Sequence, residues 1–235
     1  MTADGDVSAG LAVIVAARNE VERIPATLAA LRDAFPSAAL WVADDASTDG
    51  TTEAAIAAGA LVVSRRRPRG KGANVTAAAQ AALGAEPAPW LVLLCDGDLG
   101  ASAAKLRTLV DRVEQRECDL AIAAFRVREG GGFGLAVGFA RWAIARRSGY
   151  RPRAPLSGQR AMRAEALRSL LPLAAGFGLE TGMTIDAVRA GWRVEEVDLD
   201  LAHRATGRTP GGFAHRARQL LDSARAYLAR RRYGQ

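Results

Sequence analysis

Cysteine is almost missing from this sequence: Cys95 and Cys118 are the two present in 235 residues. They show no metal-ligand spacing, which removes a cysteine metal site from consideration and fits a reducing cytosol. Long apolar runs are missing as well. The best candidate, Phe133 to Ala145, is interrupted by Arg141, so no stretch approaches the length of a membrane span. Met1 to Gly10 is acidic and built of small residues, unlike a signal peptide, and reads as a frayed tail. No Gly-x-Gly-x-x-Gly follows the first apolar run, which argues against a dehydrogenase. There is no recognisable aromatic–basic RNA motif, which argues against nucleic acid as a partner.

Negative charge is in deficit. Thirty-two Lys and Arg against twenty-five Asp and Glu leave a formal charge of +7. Three partners suit that excess: nucleic acid, an anionic membrane surface, or phosphorylated small molecules. Apolar content of 49% and charged content of 24% are ordinary for a globular protein, and the length suits one α/β domain with a sizeable core.

The most informative stretch is Trp90-Leu-Val-Leu-Leu-Cys-Asp-Gly-Asp98. Its unbroken apolar run reads as a strand buried on both faces. It ends on two carboxylates one residue apart, where a strand leaves the sheet and open α/β sheets place their ligands. Two acids that close repel each other unless a cation shares them, and hard divalent cations prefer oxygen ligands. Gly97 lets the backbone approach whatever the cation holds. Taken alone, the same three residues also fit a solvated turn.

The preceding chain alternates strand and helix. Leu11 to Ala16 reads as a strand followed by Ala17-Arg18-Asn19-Glu20, and a helix starting near Pro25 places Ile24, Leu28, Leu31 and Phe35 on one stripe. Leu40 to Ala43 is a second strand, ending in Asp44-Asp45-Ala-Ser-Thr-Asp49-Gly50. A helix from Thr51 to Ala58 closes at Gly59, and Leu61 to Val63 is a third strand. Arg65 to Gly72 is a basic loop and Ala73 to Leu83 a helix. Short joints between these elements predict a parallel sheet with right-handed crossovers. Its strands then share one direction, so Glu20, Asp45, Lys71, Asp96 and Asp98 converge on one edge.

Beyond residue 100 the spacing predicts a helix from Ala103 to Glu114 capped by Ser102, then a strand from Asp119 to Ala124. A mostly apolar helix from Phe133 to Ser148 turns basic at Arg141, Arg146 and Arg147. Helices are expected at Ala161 to Leu171 and Glu180 to Ala190, with a Gly176-Phe-Gly178 turn between them. A strand at Val194 to Leu199 and a long basic helix at Ala214 to Arg232 complete the chain.

With these pieces in order, the chain resembles family-2 glycosyltransferases of the GT-A fold. The matching segments are Ala16-Ala-Arg-Asn-Glu20, Asp44-Asp45-Ala-Ser-Thr-Asp49-Gly50, Gly70-Lys71-Gly72-Ala-Asn74 and Asp96-Gly-Asp98. Leu156-Ser-Gly-Gln-Arg160, Gly176-Phe-Gly-Leu-Glu180 and His203-Arg204 follow. One departure is Ala16, where the family usually carries proline.

The resemblance implies a Rossmann-like, mostly parallel sheet flanked by helices, with residues 11–125 as the nucleotide-sugar half and 126–235 as a smaller acceptor half of one domain. It implies a nucleotide-diphosphate-sugar donor, a UDP-sugar and UDP-glucose first. Ala16, Ala17, Arg18, Glu20, Asp45, Lys71, Asp96, Gly97 and Asp98 would form the donor site. Glu20 would meet the ribose, Asp45 a uracil-like base edge and Lys71 the diphosphate. Asp98, with Asp96 nearer the ribose or a metal-bound water and His203 from a late loop, would hold Mg²⁺ or Mn²⁺. Asp98 and Glu180 would be the catalytic pair.

Two branches of the family share features of the second half. Polyprenyl-phosphate glycosyltransferases carry a similar Ser-Gly-x-Arg segment after an amphipathic helix, and their acceptor is a lipid phosphate. Glucosyl-3-phosphoglycerate synthases share the order Leu-Ser-Gly-x-Arg, Gly-x-Gly-x-Glu, a helix with an Asp (here Asp186) and His-Arg, which implies a small anionic acceptor. Either way Ser157, Gly158, Arg160, Glu180 and Arg204 would face the acceptor. The expected location is cytoplasmic, with membrane association at the cytoplasmic face if the basic helices meet lipid. A homodimer stays open, as does the retaining or inverting outcome. The rival readings are a non-catalytic nucleotide-sugar binder and a nucleic-acid-binding protein.

Overall fold

A computed structural model of the protein describes residues 10–125, 134–201 and 210–232, without the side chains of 125, 210–216 and 232. Its centre is a seven-stranded sheet in the order β3-β2-β1-β4-β6-β5-β7. The strands are β1 (Leu11–Ala17), β2 (Ala39–Asp44), β3 (Leu61–Ser64), β4 (Leu91–Asp96), β5 (Leu120–Phe125), β6 (Arg160–Arg163) and β7 (Val194–Leu199). All neighbours pair in parallel except β6, which runs antiparallel to both β4 and β5.

Successive side chains of β1 point to opposite faces, so each face acquires its own core. Leu11, Val13 and Val15 pack with Ile24, Leu28, Leu31 and Phe35 of α1 (Ile24–Ala34) and its C-cap. Leu109, Val110 and Val113 of α4 (Arg107–Glu114) join them. Ala12 and Ile14 face the other way, onto Val75, Ala78, Ala79 and Ala82 of α3 (Lys71–Leu83). Leu167 of α6 (Ala164–Leu170) and Leu179 and Met183 of α7 (Gly178–Arg189) complete that layer. Both faces of the central strands β1 and β4 are therefore dry, as apolar strands require. α2 (Thr51–Ala57) closes on the β2–β3 side.

The strand order turns at β1, which has β2 on one side and β4 on the other. The paired register sets Ala17 beside Asp44 and Ala16 beside Asp96. The carboxyl ends of β1 and β4 are the switch-point position where such sheets bind ligands.

Four expectations need correcting. Residues 160–163 form strand β6 rather than the start of a helix; Arg-Ala-Met-Arg has no strand signature of its own, and pairing with β4 and β5 on both sides imposes the conformation. The helix expected from Ala103 begins as a 3-10 turn, Gly100–Leu106, before α4. Ser102 is no cap, because it lies inside that turn with its hydroxyl donating to the Leu99 carbonyl. Finally α3 starts at Lys71, two residues early, since the Gly70 carbonyl already accepts from the amides of Ala73 and Asn74.

The second half adds α5 (Leu135–Ser148) and α8 (Pro210–Ala229), which pack on each other and on α7. Ala136, Ala140, Ala143 and Ile144 of α5 are buried. Phe139, Trp142 and Tyr227 form an aromatic cluster between the two helices, with the Arg147 guanidinium over the Tyr227 ring. Among the described residues no helix is long and apolar enough to cross a membrane.

Candidate active site

Asp96 is the last residue of β4, and Asp98 follows it across Gly97, half-buried. The loop is clamped to its neighbours. The Gly97 amide donates to the Ala16 carbonyl at 2.9 Å, continuing the β1–β4 pairing one step beyond the strand. The buried Thr27 hydroxyl, from α1, donates to the Gly97 carbonyl and accepts from the Gly100 amide, each at 2.8 Å. A side chain at 97 would press on Ile24, Ala17 and the Ala16 carbonyl, so the close packing favours glycine.

Lys71 joins the two halves of the site. Its Nζ lies 2.6 Å from Asp96 Oδ1 and 2.8 Å from Glu180 Oε1. Burial opposes the ammonium charge, but the two carboxylates outweigh it and hold the Lys71 pKa above its ordinary value. Gln159 Nε2 donates to Asp96 Oδ2 at 2.8 Å, and the Ser157 hydroxyl donates to Gln159 Oε1. Gly158 leaves the space in which the ion pair sits: a Cβ there would lie 2.6 Å from Lys71 Nζ and 2.8 Å from Asp96 Oδ2. Glu180 is in the first turn of α7 and only 3% exposed.

The residues after β1 and β2 build the adjoining wall. Asp44, fully buried, accepts from the Ser47 amide and the hydroxyls of Ser47, Thr52 and Ser64. Asp45, expected at a base edge, is buried and anchors the basic loop: its carboxylate accepts from the amides of Arg69 and Gly70 and from Asn74 Nδ2. Arg18, half-exposed, brings Nη1 to 3.6 Å from Asp45 Oδ2. The Glu20 amide donates to the Thr51 hydroxyl and its carbonyl accepts from the amides of Arg23 and Ile24, which sets the entry to α1.

Arg160, expected to face the acceptor, is instead fully buried. Its guanidinium donates to the carbonyls of Ser157 and Glu180 and to the Thr184 hydroxyl. Burial lowers its pKa to about 10, so it is charged at neutral pH and ties the Ser157–Gly158 loop to α7. His203 and Arg204 lie outside the described residues. The sequence alone assigns no role to Thr27, Asn74 or Gln159. The last two sit inside the quoted motifs, whereas nothing local distinguishes Thr27.

Two carboxylates one residue apart offer the oxygen donors a hard cation takes, and Mg²⁺ commonly needs only one or two carboxylates beside substrate phosphates and water. Among the described residues no cluster of three or more His, Cys, Asp or Glu is poised for a metal. Asp96 and Asp98 therefore fit a divalent ion whose remaining ligands come from elsewhere.

The model of glycosyl transferase family 2 matches residues 12–167, which carry Asp45, Lys71, Asp96, Asp98 and Arg160 but not Glu180. The chain belongs to that family. Undecaprenyl-phosphate mannosyltransferase of Micrococcus luteus is 31% identical over 210 residues, 83% of this chain and 84% of the relative. Among solved structures, glucosyl-3-phosphoglycerate synthase from Mycobacterium tuberculosis with Mn²⁺, UDP and glucosyl-3-phosphoglycerate is 28% identical. That pair has a TM-score of 0.75, covering 95% of this chain and 81% of the other. The same enzyme with Mn²⁺ and UDP-glucose is 30% identical, with a TM-score of 0.74 and coverages of 95% and 80%. The GT-A architecture and transferase class implied by the motifs are thus those of this family 2 glycosyltransferase.

Proposed function

We propose that this transferase moves a hexose from a nucleotide-diphosphate sugar, UDP-glucose first, to a phosphate-bearing acceptor, with Mg²⁺ or Mn²⁺. The observation that carries the reading is the Lys71 ammonium between Asp96 and Glu180 at the carboxyl ends of β1 and β4. It joins the nucleotide-side carboxylates to the α7 side, from which an acceptor would approach. The bond between sugar C1 and the diphosphate oxygen breaks, a bond from C1 to an acceptor oxygen forms, and the diphosphate leaves with the electron pair. A lipid phosphate attacks through its own oxyanion and needs no general base, whereas a hydroxyl of a small phosphorylated acceptor must also give up its proton, for which Glu180 is the candidate carboxylate.

Asp98 and Asp96 would hold the cation, with His203 as a further candidate ligand. The chemistry a divalent ion supplies there is neutralisation of charge on the departing diphosphate. Lys71 serves the same diphosphate once it turns from Asp96, and the Arg69–Gly70 turn fixed by Asp45 keeps it in reach. Glu20 and Arg18 line the nucleoside side. Glu180 and the Ser157–Gly158 loop contact the sugar or acceptor, backed by Arg160, and Arg204 is the candidate cation for the acceptor phosphate.

The test is calorimetric titration of UDP, then GDP, with Mn²⁺ or Mg²⁺ and with chelator, followed by turnover of UDP-glucose. Metal-dependent UDP binding is expected, with turnover abolished in folded D98A. Absence of binding by either nucleotide to folded protein would sink the reading; GDP binding alone would move the donor to a GDP-sugar.

A lipid acceptor is favoured over a small one by the outer face of α5 and α8. Leu135, Trp142, Leu221 and Leu228 are 69%, 50%, 57% and 52% exposed. Arg218, Leu221, Arg225 and Leu228 recur at helical spacing along α8 with Arg146 exposed on α5, a basic and apolar stripe suited to anionic lipid. Co-sedimentation with phosphatidylglycerol vesicles, reversed by salt, is the expected result. No co-sedimentation returns the acceptor to a small phosphate, and a dimer that shields Trp142 gives the face to a second copy.

A further inference from the structure

The turn that leads into Glu180 is gripped by a residue of α8, outside the part of the chain matched by the family model. Asp222 is buried on the inner face of that helix. Its Oδ2 accepts from the Phe177 amide at 3.1 Å, and its Oδ1 accepts from Arg225 Nη1 at 3.0 Å. The carboxylate lies against Gly176, which has φ +58°, so closely that a Cβ there would overlap it. On its other side Gly176 meets Gly70: a Cβ on Gly70 would lie 3.3 Å from the Gly176 Cα. Gly70 immediately precedes Lys71, and Phe177 precedes Glu180 by three residues.

One buried carboxylate therefore fixes the turn that carries Glu180 towards Lys71. A carboxylate accepting a backbone N–H at the start of a helix is a charge-assisted bond, stronger than a neutral one, and it favours a single position of that turn. The main-chain approach is equally close: a Cβ on Gly178 would lie 2.6 Å from the Asp222 carbonyl oxygen.

We infer that Asp222 is a positioning residue for transfer: by clamping the Gly176-Phe177-Gly178 turn it sets Glu180 against Lys71 and so orders the acceptor side of the site. The clamp is separable from the fold because α7 and α8 are joined at other points. The Thr181 and Ser223 hydroxyls are hydrogen-bonded, and Arg230, in the 3-10 turn that follows α8, pairs with Asp186 through two bonds. The nucleotide side, built on β1, β2 and α3, has no bond to Asp222 among those described. Misplacing a reacting group by about 1 Å can cost up to about a hundredfold in rate. The expected signature is thus lost turnover with retained nucleotide affinity. This inference rests on the proposed donor chemistry for its UDP-affinity and turnover arms, and not for the amide-exchange arm.

The experiment compares wild type, D222A and D222N in the full chain by amide exchange across residues 176–181, UDP affinity with Mn²⁺, and UDP-glucose turnover. D222A is expected to speed exchange in that segment about tenfold. It should lower kcat about ten- to a hundredfold and leave the UDP Kd within about twofold. D222N keeps a carbonyl oxygen for the Phe177 amide and should recover most of the rate and protection. Unchanged exchange and kcat in D222A overturn the inference. So does a D222A chain that has lost its circular dichroism, since Asp222 is then a residue of bulk stability. If wild type binds neither nucleotide, the proposed donor falls while the exchange of residues 176–181 still decides the clamp.

Discussion

Lys71 Nζ lies 2.8 Å from Glu180 Oε1 across a sequence separation of 109 residues, and Glu180 has almost no other access to solvent. Removing the ammonium strands a buried carboxylate beside Asp96, and breaking a buried pair from one side costs several kcal/mol. K71M is expected to lower unfolding free energy in urea by about 3 kcal/mol, the low end of that range because Asp96 is a third exposed. Adding E180Q should recover part of the loss. A change under about 1 kcal/mol would class the pair with ordinary surface ion pairs.

Gly158 and Gly72 separate activity from stability. A methyl group at 158 first meets the ends of the Lys71 and Asp96 side chains, which can yield. At Gly72 it would overlap the Ala174 backbone carbonyl, which cannot move without shifting the chain before α7. G158A should therefore keep its Tm within a few degrees while its kcat falls at least about tenfold. G72A should lose stability by about 1–3 kcal/mol, as overpacking does. Equal thermal losses in the two variants would contradict this assignment.

The central sheet was legible because a strand buried on both faces reads as an apolar run, as β4 does; the edge strand β7, half-buried and carrying three acidic residues, also falls where expected. β6 was not legible, since Arg-Ala-Met-Arg becomes a strand only through partners distant in sequence. The candidate site shows the same division. Asp96, Lys71 and Glu180 stand in recognisable motifs, but no local pattern says that one ammonium joins them. Arg160 carries the residue type of an anion binder, and only the packing of β6 against α7 turns it into an internal tie. Thr27 and Asp222 act through backbone groups at a distance, which leaves no trace in spacing.

Both cysteines are buried and unpaired in disulfides. Burial, reinforced by Asp96, raises the Cys95 pKa, and burial with Glu195 raises that of Cys118 to about 12. A thiol whose pKa is raised in the folded state adds stability fully present below its unfolded value, about 8.5, and lost as pH rises towards the folded one. Lys71, also raised, acts in the same direction at still higher pH. Urea stability should therefore hold between pH 7 and about 8.5 and decline above it. An aromatic disulfide reagent at pH 8 should react with both thiols rapidly only after denaturation. Rapid reaction of either thiol in the native protein would mean that its strand end opens readily.

Thr27 tests whether the carboxylate loop must be held from beneath. Its hydroxyl is the bridge between the Gly97 carbonyl and the Gly100 amide, so the segment carrying Asp98 is stapled to α1 at both ends. Valine has nearly the same shape and fills the same buried space, but it leaves both backbone groups without that partner. The loss should cost about 1–3 kcal/mol in unfolding free energy. The freed loop must also be ordered again whenever a cation draws Asp98 and Asp96 together. T27V is accordingly expected to weaken Mn²⁺-dependent UDP binding in calorimetry, while T27S, which keeps the hydroxyl, stays near wild type in both measurements. If T27V loses stability yet binds UDP with unchanged metal dependence, the staple serves the fold alone and Asp98 finds its position without it.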